Sequence, residues 1–180
     1  MEYLLKFLKD YKDEIQSITA LVAIAFTAIT LWIQRRHNFK SVTPIAHFGV
    51  GNYENEISVR LGNKGVGPLI VKEFEVSNGS RQENDLISFM PKQPQGIFWK
   101  TYYQNFSDSC ISPNQEIIIL QLVGNLTDEN FISFRDDVRR SLSKLSITVT
   151  FTDIYNRDMP KKIKSLDWFD RRSRVKKKVA

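Results

Sequence analysis

The chain has 180 residues with 26 Lys plus Arg, 20 Asp plus Glu, two His and one Cys, a formal charge of +6. A single cysteine, Cys110, excludes an intramolecular disulfide, and with only His37 and His47 beside it no Cys/His metal set of familiar spacing can be assembled. No Gly-X-Ser-X-Gly elbow, phosphate-binding loop or His-Glu-X-X-His occurs, so the expectation is a protein without catalytic residues, metal or cofactor.

In chain order, Leu4, Leu5, Phe7, Leu8 and Tyr11 recur at helical spacing with Lys6, Lys9, Lys12 and Asp13 between them. Residues 1–14 therefore read as an amphipathic helix that either lies in the headgroup region or continues the helix after it. From Ile15 to Ile33 the chain carries no charge, Gly or Pro. At about 1.5 Å per residue that run reaches about 28 Å, close to the ~30 Å hydrocarbon core of a bilayer. Residues 15–34 are thus predicted to span a membrane. A buried core helix would show a polar face, and here the polar side chains inside the run are Gln16 and small hydroxyls that bond back to the helix. A cleaved signal peptide would need a small-residue site where Gln34-Arg35-Arg36-His37 stands.

Flanking Lys and Arg tie, Lys6, Lys9 and Lys12 against Arg35, Arg36 and Lys40. The pair Arg35-Arg36 directly abutting the run leans the following domain towards the cytoplasm, at a cell inner membrane. Arg35 and Arg36 are expected at the membrane surface. Thr19, Ala23 and Thr27, four apart, form a small-xxx-small face suited to close helix packing and a homo-oligomer.

After a juxtamembrane linker over 35–43 the period changes. Pro44 to Val50, Ile57 to Leu61, Leu69 to Val76, Ile97 to Tyr103, Glu116 to Val123, Leu145 to Thr152 and Lys162 to Phe169 read as strands, Glu116 to Val123 being central and buried on both faces. Asn63-Lys64-Gly65-Val66-Gly67-Pro68 reads as a turn whose glycines take positive φ. Asp153-Ile154-Tyr155-Asn156 is a second turn. Thr127 is expected to cap one helix with Phe131, Phe134, Val138 and Leu142 on its inner face and Asp136 and Asp137 as solvated charges. Residues 44–169 thus form a mainly β domain: an antiparallel sandwich with one inserted helix.

These residues carry a resemblance. A span running into Arg35-Arg36-His37-Asn38, then Ser41-Val42 and Pro44, then Leu61, Asn63, Gly65, Gly67-Pro68-Leu69-Ile70, and late in the domain Asp153-Ile154-Tyr155, is similar to a broad group of small bacterial single-span proteins. That resemblance implies an immunoglobulin-like soluble domain. Where the group's pattern has Gly after the Asp-Ile-Tyr triplet this chain has Asn156, which tolerates the same left-handed backbone. In layout the chain also resembles membrane effectors of antiphage systems, linked to cyclic nucleotides or CRISPR, which implies binding of an anionic nucleotide signal.

Charge is unevenly spread. Residues 34–160 hold 14 Lys plus Arg and 14 Asp plus Glu, so the excess lies in the last twenty residues. The tail over 170–180, with Lys176, Lys177 and Lys178, has four readings: anionic lipid, a phosphate ligand, nucleic acid, or a solvated end. Candidate ligand contacts at strand, loop or helix ends are Arg60, Lys64, Arg81, Lys100, Arg139, Arg140 and Arg157. The reading from a different class is a membrane-tethered adaptor that binds a protein partner through a sheet edge.

Overall fold

The computed structural model describes Tyr3 and residues 11–171, and the chain divides into two compact units that meet between Ser41 and Val42. The first is one helix, α1 (Lys12–Ser41), with no buried residue. The lack of any buried side chain is unlike a core helix of a soluble fold, and α1 is the one helix among the described residues long and apolar enough to cross a membrane. The hydroxyls of Thr19, Thr27 and Thr30 donate to the carbonyls of Ile15, Ala23 and Phe26 at 2.7–2.8 Å, so no polar side-chain proton of theirs is left facing outward. The helix does not stop at the apolar run: it continues through Ser41, across most of the stretch expected as a linker. The amphipathic helix expected over 1–14 falls for the most part outside the described residues.

The second unit is an antiparallel β-sandwich with one inserted helix. Its strands are β1 (Ala46–Asn52), β2 (Glu56–Asn63), β3 (Leu69–Ser77), β4 (Gln82–Glu83), β5 (Trp99–Tyr102), β6 (Cys110–Ile111), β7 (Glu116–Val123), β8 (Ser146–Thr152) and β9 (Lys162–Ser165). One sheet has the order β1-β2-β7-β5; the other is β4-β3-β8-β9, with β6 also on β3. Helix α2 (Glu129–Leu142) lies between β7 and β8 in the chain.

Alternation explains the packing. Ile57, Val59 and Leu61 of β2, Leu69, Val71, Phe74 and Val76 of β3, and Ile147, Val149 and Phe151 of β8 are all buried in one core. The near-continuous apolar run of β7 sits inside its sheet, and Ile119, Leu120, Gln121 and Leu122 are all buried. Phe131, Phe134, Val138 and Leu142 are the inner face of α2, with Phe134 edge-on to Trp99 at 5.8 Å. The cap of α2 is Asp128, one residue after the expected Thr127: its carboxylate accepts from the backbone N–H of Asn130 at 2.9 Å. The strand expected over Lys162 to Phe169 ends at Ser165, and a short 3-10 turn, Asp167–Asp170, then buries Phe169.

The registers define two ends. β1 begins, β2 finishes and β3 begins at one end, where Ala46 pairs with Asn63 and Ile70 with Thr152. Val42, the first residue after α1, lies here, so this is the anchor-joined end. The turn from β1 to β2, helix α2 and the start of the basic tail at Arg171 lie at the other.

Candidate functional site

The two turn motifs are built around one saturated polar side chain each. Asn63 is fully buried; its Oδ1 accepts from the N–H of Ile45 at 3.1 Å and of Gly65 at 2.9 Å, and its Nδ2 donates to the carbonyls of Gly67 at 2.6 Å and Ile111 at 3.1 Å. Four bonds fill the amide's capacity, leaving it nothing to offer a ligand. Gly65 and Gly67 are not among the positive-φ residues, contrary to expectation. Their requirement is space: a Cβ at Gly65 would overlap the Thr43 carbonyl, and one at Gly67 the Val42 carbonyl. The turn is glycine-rich because the incoming chain lies against it.

Asp153 is equally committed. Its Oδ1 accepts from the N–H of Tyr155 at 2.9 Å and of Arg157 at 3.0 Å, and its Oδ2 from Arg157 Nε at 2.7 Å. Burial opposes ionisation of this carboxyl, but the Arg157 side chain and the backbone N–H groups outweigh it and hold Asp153 below the usual carboxylate range. Asn156 takes φ 57°, the left-handed conformation expected of it.

At the far end two arginines that the helix pattern places on the inner face tie α2 to the β1–β2 turn. Arg135 Nη1 donates to the Glu54 carbonyl at 2.7 Å and carboxylate at 3.0 Å; Arg139 donates to Asn52 Oδ1 and the Tyr53 carbonyl, both at 2.7 Å. Asp136 bridges both guanidiniums, at 2.9 Å and 2.8 Å, so it is not the solvated charge expected. Its partial burial works against the charged form, and Arg135 and Arg139 more than offset that, keeping its carboxyl below the usual range.

The candidate ligand cations therefore do not form one cluster within a chain. Arg60 lies on β2 beside Glu56 at 3.5 Å, Lys64 pairs with Glu116 at 3.0 Å, and Arg81 with Glu83 at 2.7 Å while standing over the Phe89 ring. Arg140 pairs with Asp137, Arg157 with Asp153, and Arg139 is buried. Lys100 alone of the seven makes no ion pair among the described residues. On α1, Arg35 stands over Phe39 at 5.5 Å and Arg36 over Trp32 at 5.7 Å; Lys176, Lys177 and Lys178 lie outside the described residues. No group of three or more His, Cys, Asp or Glu among the described residues could hold a metal.

Lys100 draws attention to its strand. β5 is an edge, paired with β7 and with a bulge between Trp99 and Thr101. Phe98 is 73% exposed, Tyr102 47% and Tyr103 40%, whereas Trp99 is half-buried against Phe134. An aromatic, cation, aromatic strip on an open sheet edge is the most ligand-ready surface among the described residues of the sandwich. Sequence reasoning named Lys100 but missed its aromatic neighbours, although their alternation in Phe98-Trp99-Lys100-Thr101-Tyr102 was there to find. The chain matches no family model and no curated protein.

Proposed function

We propose that this chain is a membrane-tethered, non-enzymatic binding module that recruits a protein partner through the β5 edge of its sandwich. The observation that carries the reading is the exposed Phe98–Tyr103 edge, set against turn motifs and cations largely consumed by internal bonds. An incoming strand would gain main-chain hydrogen bonds from β5 and side-chain contacts from Phe98 and Tyr102. The bacterial inner membrane and a cytoplasmic sandwich belong to the same reading, supported by Arg35 and Arg36 abutting the apolar run on the sandwich side. So does self-association through Thr19, Ala23 and Thr27.

The test is a photo-crosslinking amino acid at Phe98 or Tyr102 in the full-length chain in bacterial membranes, with Glu73 on the other sheet as control. A discrete protein adduct from positions 98 and 102 and none from 73 supports the adaptor. The same smear, or nothing, from all three sinks it.

Lys100 favours a second reading. A cation flanked by two exposed rings suits a nucleotide, the base on an aromatic face and the phosphate on the amine. In that reading the chain is an antiphage effector whose anionic nucleotide signal changes how the spans pack, by binding one arrangement more tightly than another. Thermal unfolding of the detergent-solubilised chain with cyclic mono-, di- and oligonucleotides separates the two. An upward shift that Lys100→Glu abolishes selects the nucleotide; no shift from any of them selects the protein partner.

A further inference from the structure

The anchor-joined end of the sandwich carries exposed apolar side chains on turns that are held rigidly. Val66 is 66% exposed, Ile45 56%, Ile154 59% and Tyr155 54%. Val66 and Ile45 are neighbours, because Lys64 N–H donates to the Ile45 carbonyl at 2.9 Å and Val66 N–H to the Thr43 carbonyl at 3.3 Å. Ile154 and Tyr155 follow Thr152, which pairs with Ile70 at the start of β3, so the two turns project from the same end. Asn63 fixes the first turn and Asp153 the second.

Chain length says what faces them. Ser41 closes α1 and Val42, one peptide bond later, already lies against Gly67. Helical residues 34–41 add about 12 Å beyond the apolar run. The headgroup layer takes up roughly 5–7 Å on each side of the hydrocarbon core. Trp32 at the end of the apolar run and Arg35, Arg36 and Phe39 just beyond it, each guanidinium over a ring, have the composition of an interfacial belt. A helix tilted by the usual ~20° is lower still. Val42 therefore emerges within roughly 5–7 Å of the headgroup surface. Lys64 and Arg157, each already paired with an acid, Glu116 and Asp153, stand beside the apolar tips, and Arg157 lies over the Tyr155 ring at 5.7 Å. A ring and aliphatic tips with cations alongside suit a phospholipid interface.

We propose that this end of the sandwich is a second membrane contact: Val66, Ile154 and Tyr155, with Ile45, seat in the headgroup boundary of the bilayer that holds α1. The proposal rests on α1 being a span, and the experiment separates the two.

The full-length chain, with Cys110→Ser, is reconstituted in vesicles of phosphatidylcholine and phosphatidylglycerol at three to one. An environment-sensitive dye is placed in turn at Ile24→Cys in the apolar run, at Val66→Cys, at Ile154→Cys, and at Ser80→Cys in the turn between β3 and β4 at the other end. Spin-labelled lipids then report depth. The expected result is quenching of positions 66 and 154 by shallow labels at least threefold above position 80, and of position 24 by deep labels. Ile154→Asp, which alters an exposed residue, should drop the signal at position 66 to that of position 80 without lowering the unfolding temperature. Position 24 quenched while 66 and 154 match 80 overturns the docking alone; position 24 unquenched overturns the span. Quenching at 66 that disappears in pure phosphatidylcholine also overturns the proposal, since charge and not the apolar tips would then hold the contact. So does a Val66→Cys crosslink between two copies in place of lipid quenching.

Discussion

The two ends of the sandwich are closed by different means. At the anchor-joined end the closure is backbone on backbone: the incoming Val42–Ile45 segment lies on a glycine turn, Asn63 satisfies groups that this crowding buries, and Asp153 ties up the backbone of its own turn. At the far end it is side chain on backbone, with α2 reaching across through Arg135 and Arg139 to carbonyls of the β1–β2 turn. Backbone contacts cannot swing aside, whereas long side chains can. The first end should therefore be the brittle one and the second the tolerant one.

The sharpest way to break that contrast is Asn63→Ala. Four backbone partners, three of them buried, lose their bonds at once, and at about 1–3 kcal/mol for each unsatisfied buried group, partly relieved by relaxation, the loss should be roughly 4 kcal/mol. Denaturant unfolding of the full chain in detergent reads it, and a change under about 1 kcal/mol would mean that the turn does not depend on its amide. Next comes a matched pair of glycines. Gly67→Ala forces a methyl into the Val42 carbonyl and should cost about 3 kcal/mol, while Gly124→Ala, whose nearest neighbours are atoms of the buried Phe131 ring, should cost about 2 because a side chain can shift where a backbone carbonyl cannot. Equal losses would erase the distinction between the ends.

Smaller effects follow. Arg139→Met removes charge-assisted bonds to Asn52, Asp136 and Tyr53 but keeps bulk, and should cost about 2 kcal/mol, visible as a fall in the unfolding midpoint. Acid should act at both ends with one sign. Asp153 and Asp136 have lowered folded-state pKa values, so their contribution is present above the unfolded carboxylate range near pH 4 and is lost as pH falls through the folded values. Asp153→Asn should flatten the acid limb of a stability-against-pH curve read by denaturant unfolding. Smallest of all, Phe98→Asp should leave stability within about 0.5 kcal/mol while removing the crosslink from Tyr102; a large destabilisation would recast β5 as core.

What was legible in the residues was what repeats. Alternation marked β2, β3 and β8, the unbroken apolar run marked β7, and the spacing of Phe131, Phe134, Val138 and Leu142 marked α2. β4 and β6, with two residues each, are too short to carry a period. Thr127 and Asp128 are both good caps and adjacent, so composition could not separate them. The glycines of the β2–β3 turn were visible but their reason was not, because nothing local tells that Val42 returns to lie on Gly67. Arg139 looked like a helix-end cation open to a ligand; its role depends on Asn52 and Tyr53, more than eighty residues away in the chain. The scattering of the seven candidate cations has the same cause, since their meeting or separation is decided by long-range strand pairing.

The course of β1 carries a mechanical consequence. It leaves the anchor-joined end and runs to the other through seven register pairs, from Ala46 with Asn63 to Asn52 with Ile57, while the chain departs at Arg171 from that opposite end. Tension between the bilayer and anything attached beyond Arg171 is thus directed along the strands. It must shear the rungs of the β1–β2 ladder together instead of unzipping them in turn, and the Asn63 and Gly67 clasp guards the first rung. A domain threaded this way resists pulling.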